Sequence, residues 1–346
     1  MKRSMPAALL ALAALVAAPA VAPGKGLETG ARNGVTVNGS PYRYVTIVPH
    51  TTPKLTVVAQ VDGRDGRVAR WWQLPGDYQV PAVTYDGSGG GLSADQKTLV
   101  LGRFPTGSRP VYPPKRTRFA ILDTDLAPHR ARGPVSYIDL RGHFAFDAIS
   151  PDGSTLYLIY HPPRFKGLDY IANYEVRALD LESGRLLPKP IVDPEEPDER
   201  MEGLPLTRAT SPDGRWAYTL YDGNGDEPFI HALDTVAGSA VCIDLPQLER
   251  LPRRFHYLLR LQMGEGGREL TVVRLVPGPP KPRTLLTVDT GSFEVHGAAP
   301  VATASSGIGP WPPVVALALG AGLLLAWTGL RHRRSHAAGD GSSGRG

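Results

Sequence analysis

Short apolar runs alternate with Gly-, Pro- and Asp-rich segments along most of this chain, and five of the runs end in an aspartate. The runs are rich in branched and aromatic residues, which is typical of β-strands. The aspartates are spaced 61, 57, 54 and 55 residues apart. A nearly constant spacing of this length predicts one supersecondary unit repeated in series. The five pairs are Val61-Asp62, Leu122-Asp123, Leu179-Asp180, Leu233-Asp234 and Val288-Asp289.

Each repeated aspartate is predicted to open a tight turn. A glycine follows four residues later in three copies, at Gly66, Gly184 and Gly238, and two residues later at Gly291. An Asp side chain accepts a hydrogen bond from the backbone two residues on, and Gly adopts positive φ without strain. Because another apolar run follows in four copies, the Asp marks the turn of a β-hairpin.

A second hairpin precedes each of the later ones. Its turn reads Ser150-Pro-Asp-Gly153 in one copy and Ser211-Pro-Asp-Gly214 in the next. More diverged turns, Ser93-Ala-Asp-Gln96 and Gly264-Glu-Gly-Gly267, hold the equivalent places. Pro presets the second position of such a turn, Asp tolerates the third, and Gly closes it. Two hairpins in each unit predict a four-stranded antiparallel sheet, the blade of a β-propeller.

These motifs resemble known propeller repeats. Gly142-His143, the Ser150 turn and Leu179-Asp180 together resemble a WD-repeat blade in which Leu-Asp replaces Trp-Asp. The turn followed by an apolar-Asp-x-x-x-Gly hairpin is also similar to YVTN-type and Tricorn/TolB-type bacterial propeller repeats. The resemblance covers about residues 35–297 and implies an all-β propeller of about five four-stranded blades. It implies a fold and no particular activity.

The expected blades follow the repeat count. Six or seven blades remain open if the segment Phe104 to Ile121 contains a diverged hairpin. The five blades are expected at residues 35–80, 91–140, 143–192, 205–246 and 255–297.

The N-terminus resembles a secretory signal. Lys2-Arg3 precede an apolar stretch from Ala7 to Ala18, and small residues follow it. This order predicts a signal peptide at 1–20 and a linker at 21–34. Cleavage after Ala20 is favoured over Ala22, because Pro23 would directly follow the second site. An uncleaved anchor helix is the alternative, and the shortness of the apolar stretch disfavours it.

The other end predicts a membrane span. The twenty residues from Trp311 to Leu330 carry no charge, and at about 1.5 Å each they reach about 30 Å, the thickness of the hydrocarbon core. The basic cluster Arg331-His-Arg-Arg334 is expected to stay cytoplasmic. The chain should thus contain a flexible tether at 298–310, a transmembrane helix at 311–330 and a cytoplasmic tail at 331–346. A buried core helix is the alternative.

The net charge of +5 comes from the two ends. The predicted signal peptide and tail hold six basic residues and one acidic residue, so the segment between them has 32 of each kind. A neutral ectodomain has no electrostatic match to nucleic acid. The expected partners are the membrane, through the C-terminal helix, and a protein, peptide or glycan ligand that the sequence does not identify.

Motifs for covalent or cofactor chemistry are absent from the sequence. No Gly-x-Ser-x-Gly elbow and no Cys-x-x-Cys-His site occurs. The single Cys242 cannot form an intramolecular disulfide and is predicted to be a small buried hydrophobe rather than a reactive thiol. The run Gly87 to Gly91 leads into a strand, whereas a phosphate cradle needs a helix N-terminus. It is therefore predicted to be a flexible loop between blades, and no cofactor is expected.

Two loops break the repeat. Asp222-Gly-Asn-Gly-Asp226 matches the first half of a calcium loop, but Glu227 stands where Gly is needed and Leu233 where Glu is needed. An ordinary hairpin loop is the favoured interpretation, so no metal site is assigned. The segment Asp193 to Glu202 is acidic and proline-rich, which favours a solvated linker. The alternative is a recognition loop for a basic partner or a cation.

No catalytic residue is assigned from the sequence. His143, His161 and His231 are interpreted as structural histidines with satisfied hydrogen bonds, and the repeated aspartates as turn residues. The predicted function is a binding or interaction module on the extracytoplasmic face of a membrane. The alternative is a propeller-type hydrolase or lyase acting on an envelope or extracellular substrate. Buried carboxylates and histidines that converge near the propeller axis would favour the enzyme.

Overall fold

The computed structural model describes residues 30–297 except 32, 50–51, 104–113, 127–134, 164–172, 199–200, 224–226 and 276–281. The predicted signal peptide, tether, transmembrane helix and tail lie outside the described residues. Within the described part of the chain, no helix combines the length and the apolar character needed to cross a bilayer.

The described residues form an all-β structure of five antiparallel sheets. Their strands pair in chain order, so each sheet is built from consecutive hairpins. The first sheet holds β1 (Tyr42–Ile47), β2 (Leu55–Asp62) and β3 (Val68–Pro75). The second holds β4 (Tyr78–Gln79), β5 (Thr98–Arg103), β6 (Arg116–Asp123) and β7 (Val135–Arg141). The third holds β8 (His143–Ile149), β9 (Thr155–His161), β10 (Asn173–Asp180) and β11 (Arg185–Ile191), and β12 (Met201–Glu202) also pairs with β10.

The last two sheets repeat this plan. The fourth holds β13 (Pro205–Thr210), β14 (Trp216–Tyr221), β15 (Phe229–Asp234) and β16 (Ser239–Asp244). The fifth holds β17 (Leu259–Met263), β18 (Glu269–Arg274), β19 (Arg283–Asp289) and β20 (Val295–Gly297). In the described part of the chain, three short 3₁₀ helices lie at Pro246–Leu248, Arg253–Leu258 and Glu265–Gly267.

The first sheet departs from the plan at its first strand. A single bridge between Val35 and Tyr44 stands where the other sheets have a first strand of two or more residues. The prediction of five repeated units between residues 35 and 297 is confirmed, with this reduced strand as a difference.

The repeated aspartates occupy the same place in every sheet. Each ends the third strand of its unit and pairs with the first residue of the second strand, as in Thr155↔Asp180 and Trp216↔Asp234. Each carboxylate accepts a hydrogen bond from the backbone two or three residues on; for Asp289 the donors are Gly291 N at 2.9 Å and Ser292 N at 2.8 Å. Those two backbone bonds lower the pKa of Asp289. The prediction that these acids are structural turn residues is confirmed.

The serine turns repeat with equal regularity. In the third sheet Ser150 Oγ donates to Asp152 Oδ1 at 2.6 Å and accepts from Thr155 N at 2.9 Å. The bond from the Ser150 hydroxyl is the main cause of the lowered pKa of Asp152. The turns at Ser93 and Ser211 make the same two bonds.

Apolar clusters join neighbouring sheets. A fully buried Leu in such a cluster contributes about 1.5–3 kcal/mol relative to an exposed one. Among the described residues, these clusters join sheet one to two, two to three, three to four and four to five, and none joins the fifth sheet to the first. Representative pairs, in that order, are Tyr44 and Leu99, Val100 and Leu156, Tyr157 and Leu233, and Leu220 and Leu270.

One predicted boundary is wrong. Tyr78 and Gln79 pair with β5, so the second unit begins within the range 35–80 that was expected to belong to the first. The run Gly87 to Gly91 therefore lies inside the second unit rather than between units. The first strand of the second unit is interrupted by an inserted hairpin. Its apolar residues therefore do not form one continuous run in the sequence.

Replacing Asp234 by Ala should destabilise the fold by about 1–3 kcal/mol, because the backbone N–H donors of its turn would lose their buried acceptor. Asp234 Oδ1 accepts from Val236 N at 2.9 Å and Ala237 N at 3.0 Å, and its side chain is 3% exposed. Urea unfolding followed by circular dichroism measures the change. Asp198→Ala, in the exposed acidic loop, is the control and should stay within about 0.5 kcal/mol of wild type. Equal effects of the two changes would contradict the turn role.

Candidate functional site

A hairpin crosses the centre of the structure. Residues 81–90, named here the central hairpin, project from the first strand of the second sheet towards the fourth sheet. Tyr85 N donates to the Pro205 carbonyl at 2.8 Å, and Asp86 N donates to the Leu206 carbonyl at 3.1 Å. The hairpin thus links two sheets that are not neighbours in sequence.

The tip of the central hairpin is held by Asp86. Its Oδ1 accepts from Thr84 Oγ1 at 2.7 Å and from Ser88 Oγ at 2.7 Å, and its Oδ2 lies 3.4 Å from Arg260 Nε of the fifth sheet. Burial acts to raise the pKa of Asp86, but the bonds from Thr84 and Ser88 outweigh it and lower the pKa. The ionised carboxylate thus joins the hairpin to the fifth sheet, whereas its backbone N–H groups join it to the fourth.

A cavity of about 190 Å³ lies at the centre, on the side of the Ser-Pro-Asp-Gly turns. The central hairpin contacts the start of β13, whereas the cavity is lined by later residues of that strand, Arg208 and Thr210, and by Pro212 and Gly214 of its turn. First-strand segments of four sheets line this space, so these strands surround a common axis. The protein is a β-propeller. The segments that line the cavity lie within residues 35–38, 89–92, 146–149 and 208–211.

Asp147 and Arg208 bring opposite charges to this cavity. The pairing of β8 with β9 shifts register between Phe146 and Ala148, so Asp147 is the extra residue of a β-bulge. A bulge re-aims the side chain it carries. Arg208, from the first strand of the next blade, donates from Nη2 to Asp147 Oδ1 and from Nη1 to the Asp147 carbonyl oxygen. Its Nε donates to Thr219 Oγ1 at 2.8 Å.

The pair is buried and incompletely satisfied. The side chain of Asp147 is 2% exposed and that of Arg208 is 9% exposed. Asp147 Oδ2 is buried and accepts no hydrogen bond from the described residues. Burying a charge costs free energy that only good geometry and further hydrogen bonds offset. The pair therefore lacks one of the hydrogen bonds that would offset the cost of its burial.

His231 lies near this pair in the interface between the third and fourth blades. It is 2% exposed, and its Nε2 has no hydrogen-bond partner among the described residues. Burial lowers the pKa of His231 to about 4, while Asp147 raises it and Arg208 lowers it further. The prediction of a satisfied structural histidine is wrong for His231. The physical reason is that its strand position points the ring into a packed interface in which no described group reaches Nε2.

Four more polar rings continue this interface, and together with His231 they are named here the polar seam. His143 and His161 stack with their centroids 4.5 Å apart, as expected for structural roles. Tyr174 lies 6.1 Å from His161 and 5.8 Å from Tyr221. Burial is the main cause that raises the pKa of both tyrosines. The polar seam thus places titratable groups in an interface that is otherwise apolar.

The acidic loop is anchored by its first residue. Asp193 is buried at 8% exposure, and its Oδ2 accepts from Cys242 N at 2.8 Å while its Oδ1 accepts from Glu195 N at 2.9 Å. Residues 194–198 are exposed, in agreement with a solvated loop, and residues 199–200 lie outside the described part. Asp193 itself is not solvated, because its buried carboxylate accepts a hydrogen bond from the backbone of the fourth blade.

The half calcium loop is described only in part. Asp222 Oδ1 accepts from Leu204 N at 2.7 Å, and its Oδ2 lies 3.3 Å from Arg253 Nη2. A neighbouring cation disfavours a metal ion at this carboxylate. Residues 224–226 lie outside the described part. Across the residues described, no group of three or more His, Cys, Asp or Glu side chains is placed to hold a metal ion.

The prediction for Cys242 needs correction. Its side chain is of intermediate exposure rather than buried. It pairs with His231 across the sheet, and side chains opposite each other share a face, which in this blade is the face of the polar seam.

Asp147 and Arg208 were not predicted from the sequence. The sequence indicates them only weakly, as charged residues inside strand-like segments. Asp147 lies in Phe144 to Ile149, and Arg208 lies in Leu206 to Thr210. The bulge that turns Asp147 inward leaves no mark in the sequence. The meeting of the two residues depends on how neighbouring blades pack.

Comparisons with known proteins found only distant structural similarity. No protein-family model matches the chain, and no curated protein matches it. It is similar to TolB from Acinetobacter baumannii, with 18% identity and a TM-score of 0.37 over 73% of this chain and 51% of TolB. A prolyl endopeptidase structure gives 14% identity and a TM-score of 0.40 over 75% of this chain and 34% of the peptidase.

A third structure is the β-propeller domain of Cps50 (Swd1) from Myceliophteria thermophila. It gives 10% identity and a TM-score of 0.38 over 78% of this chain and 75% of that one. The chain thus spans about half the length of TolB and about a third of the peptidase.

Proposed function

We propose that this β-propeller is a binding module that accepts a ligand in its central cavity. The observation that carries the proposal is the central cavity of about 190 Å³, whose lining combines apolar side chains with the oppositely charged residues Asp147 and Arg208. Ligand sites are concave, mostly apolar and equipped with a few oriented polar groups. Phe146, Ile149 and Ala217 supply apolar wall around the pair.

The membrane context is the second part of the proposal. The uncharged segment Trp311 to Leu330 and the basic cluster that follows it support a single span with the propeller on the extracytoplasmic side. The signal-like residues 1–20 support export. A reporter that is active only outside the cytoplasm, fused after Gly346, is expected to stay silent. A bright fusion would overturn the orientation.

Binding is tested by capture from envelope extract with the full chain in detergent micelles, followed by analysis of glycans, peptides and proteins. We expect a bound species that Asp147→Asn loses and that Asp139→Asn retains. Asp139 is the matched control, because it is also paired with arginines, Arg116 and Arg118, but on an exposed outer strand. Capture that is equal for wild type and both variants would contradict a site at Asp147.

A hydrolase or lyase is the alternative, and one observation favours it. His231, with its lowered pKa, lies close enough to Asp147 to respond to its charge. Proton transfer requires a group within hydrogen-bond reach of the substrate, whereas His231 is 2% exposed and is not among the described residues that line the cavity. Release of product from envelope glycans or peptides, lost in His231→Phe, would favour the enzyme.

A further inference from the structure

A group of arginines surrounds Phe255 at one end of the fifth blade. Arg254 belongs to the 3₁₀ helix Arg253–Leu258, and Arg274 is the last residue of β18. The guanidinium carbon of Arg254 lies 4.9 Å from the centre of the Phe255 ring, and that of Arg274 lies 4.3 Å from it. Arg283, at the start of β19, is directly opposite Arg274 in the paired strands. These three arginines and Phe255 are named here the arginine cluster.

The arginine cluster differs from neighbouring arginines in its lack of acidic partners. Arg253 Nη2 lies 3.3 Å from Asp222 Oδ2, and Arg260 Nε lies 3.4 Å from Asp86 Oδ2. Among the described residues, by contrast, no acidic side chain forms an ion pair with an arginine of the cluster. The Nε of Arg274 is buried without a hydrogen-bond acceptor, so its guanidinium is held by the aromatic ring rather than by a carboxylate.

The arrangement of these charges opposes folding. Like charges directly opposite each other in paired strands are destabilising, and Arg274 and Arg283 occupy such positions. Arg254 and Arg283 are exposed, and Arg274 is half-buried. The cluster therefore presents positive charge to solvent without a described counter-charge, and an anion from solution would relieve the repulsion.

The segment that carries Arg254 and Phe255 is fixed by backbone hydrogen bonds. Phe255 N donates to the Pro252 carbonyl at 2.8 Å, which closes the first turn of the 3₁₀ helix. Leu275 N donates to the Leu258 carbonyl at 2.8 Å and joins the end of this helix to the residue after β18. The cluster is thus held between the helix and the strand.

The charge of the cluster favours a phosphate group over a carboxylate. A phosphate monoester carries about −1.5 to −2 charges at pH 7 and has three acceptor oxygens, whereas a carboxylate has two oxygens and a single charge. Because both stacking distances are measured to one ring centre, the guanidinium carbons of Arg254 and Arg274 are at most about 9 Å apart, which one phosphate can bridge through a charge-assisted hydrogen bond of about 2.8 Å on each side.

The arginine cluster is separate from the central cavity. The cavity lies on the side of the Ser-Pro-Asp-Gly turns, and none of its described lining residues belongs to the cluster. In the fifth blade the equivalent turn is Gly264 to Gly267, and β18 leads away from this turn to end at Arg274. The cluster therefore lies at the opposite end of the blade.

We propose that the arginine cluster binds the phosphate group of a ligand, carried either by a soluble phosphate compound or by the headgroup of an anionic lipid. The guanidinium groups donate to the phosphate oxygens, and Phe255 positions two of them. The two sources share this chemistry and differ in whether acyl chains add to the affinity. This site goes beyond the binding function proposed for the central cavity and does not depend on it.

Isothermal titration calorimetry with the full chain in micelles of an uncharged detergent tests the proposal. The probes are inorganic phosphate, glycerol 3-phosphate, acetate and dihexanoyl phosphatidic acid. We expect phosphate and glycerol 3-phosphate to bind at least about tenfold more tightly than acetate. Dihexanoyl phosphatidylcholine, whose headgroup has no net charge, controls for uptake of acyl chains by the micelle.

The lipid arm of the titration distinguishes the two sources. Equal affinity for glycerol 3-phosphate and dihexanoyl phosphatidic acid would support a soluble phosphate compound. Tighter binding of the phosphatidic acid, with none of the phosphatidylcholine, would support a lipid headgroup. If no phosphate-bearing probe binds, or if acetate binds equally well, the proposal is overturned.

Substitutions locate the binding site. Arg254→Gln and Arg283→Gln should each weaken phosphate binding about tenfold or more. Both residues are exposed, so both variants should retain the fold. Arg268→Gln is the matched control, because Arg268 is an exposed arginine beside the other end of β18. It should leave phosphate binding unchanged. Equal affinities of all three variants and the wild type would rule out this site.

The role of the ring is tested without a change in charge. Phe255→Leu should weaken phosphate binding about two- to fivefold, because the stacking that positions two guanidinium groups is lost. Phe255→Tyr keeps the ring and should bind phosphate as the wild type does. Wild-type affinity in Phe255→Leu would contradict a positioning role for the ring.

Discussion

Arg208→Met is expected to destabilise the protein by about 3–5 kcal/mol, because it leaves the buried carboxylate of Asp147 without its counter-charge. The pair is almost completely shielded from water, at 2% and 9% side-chain exposure. The change also removes donors from the Asp147 carbonyl and from Thr219 Oγ1. Urea unfolding at pH 7 measures the loss as a lower midpoint with an unchanged slope.

A matched control exists in the second blade. Arg116 also donates to the carboxylate and to the carbonyl of one aspartate, Asp139, but its side chain is 59% exposed. Arg116→Met should therefore cost no more than about 1 kcal/mol. The double change Asp147→Asn with Arg208→Met should recover much of the lost stability, because no buried charge remains. If Arg208→Met lowered the free energy of unfolding no more than Arg116→Met, the buried pair would not stabilise the fold as expected.

Acidification from pH 7 to pH 4 is expected to lower the free energy of unfolding by roughly 3 kcal/mol through His231 alone. Burial lowers the pKa of this imidazole from 6.5 to about 4 in the folded protein. Between these values the unfolded chain binds a proton that the folded chain excludes, so stability falls as the pH falls. Below about pH 4 both states are protonated and the contribution is fully lost.

Equilibrium unfolding at pH values from 7 to 4 tests this expectation. His231→Phe keeps a ring in the interface and removes the titrating group, so the pH slope in this range should largely disappear. His296→Gln, on the exposed last strand, is the control and should keep the slope. The repeat aspartates Asp180, Asp234 and Asp289 have pKa values below 3.8, so their stabilising contribution is lost at more acid pH. A slope that survives in His231→Phe would contradict the assignment to His231.

The stability loss expected for Arg208→Met and the pH dependence expected from His231 arise in the same interface. Asp147 and Arg208 act on the pKa of His231 in opposite directions, so removal of Arg208 should raise that pKa as well as lower stability. Such coupling makes the two changes non-additive. Packing and charge are thus coupled in the interface between the third and fourth blades.

Local chemistry made the repeated units predictable. The turn at Ser150 and the turn at Asp180 each close through hydrogen bonds to residues at most five positions away. Interactions of this range appear directly in a sequence as spacing, which is why the strands and the five-fold count could be read from it. The expectation of a glycine loop between blades failed at residues 87–91, because the partners of the central hairpin, Pro205 and Leu206, lie more than a hundred positions away.

The same contrast between short-range and long-range interactions applies to the candidate site. The order of strands, the turn aspartates and the zero net charge of residues 21–330 were determined by the amino-acid sequence, because each depends on residue type and short-range spacing. The central cavity, the bulge at Asp147, its pairing with Arg208 and the burial of His231 were decided by the tertiary structure. Asp147 and Arg208 are separated by 61 positions. They meet because two blades pack face to face around a common axis, and no local pattern in a sequence encodes that distance.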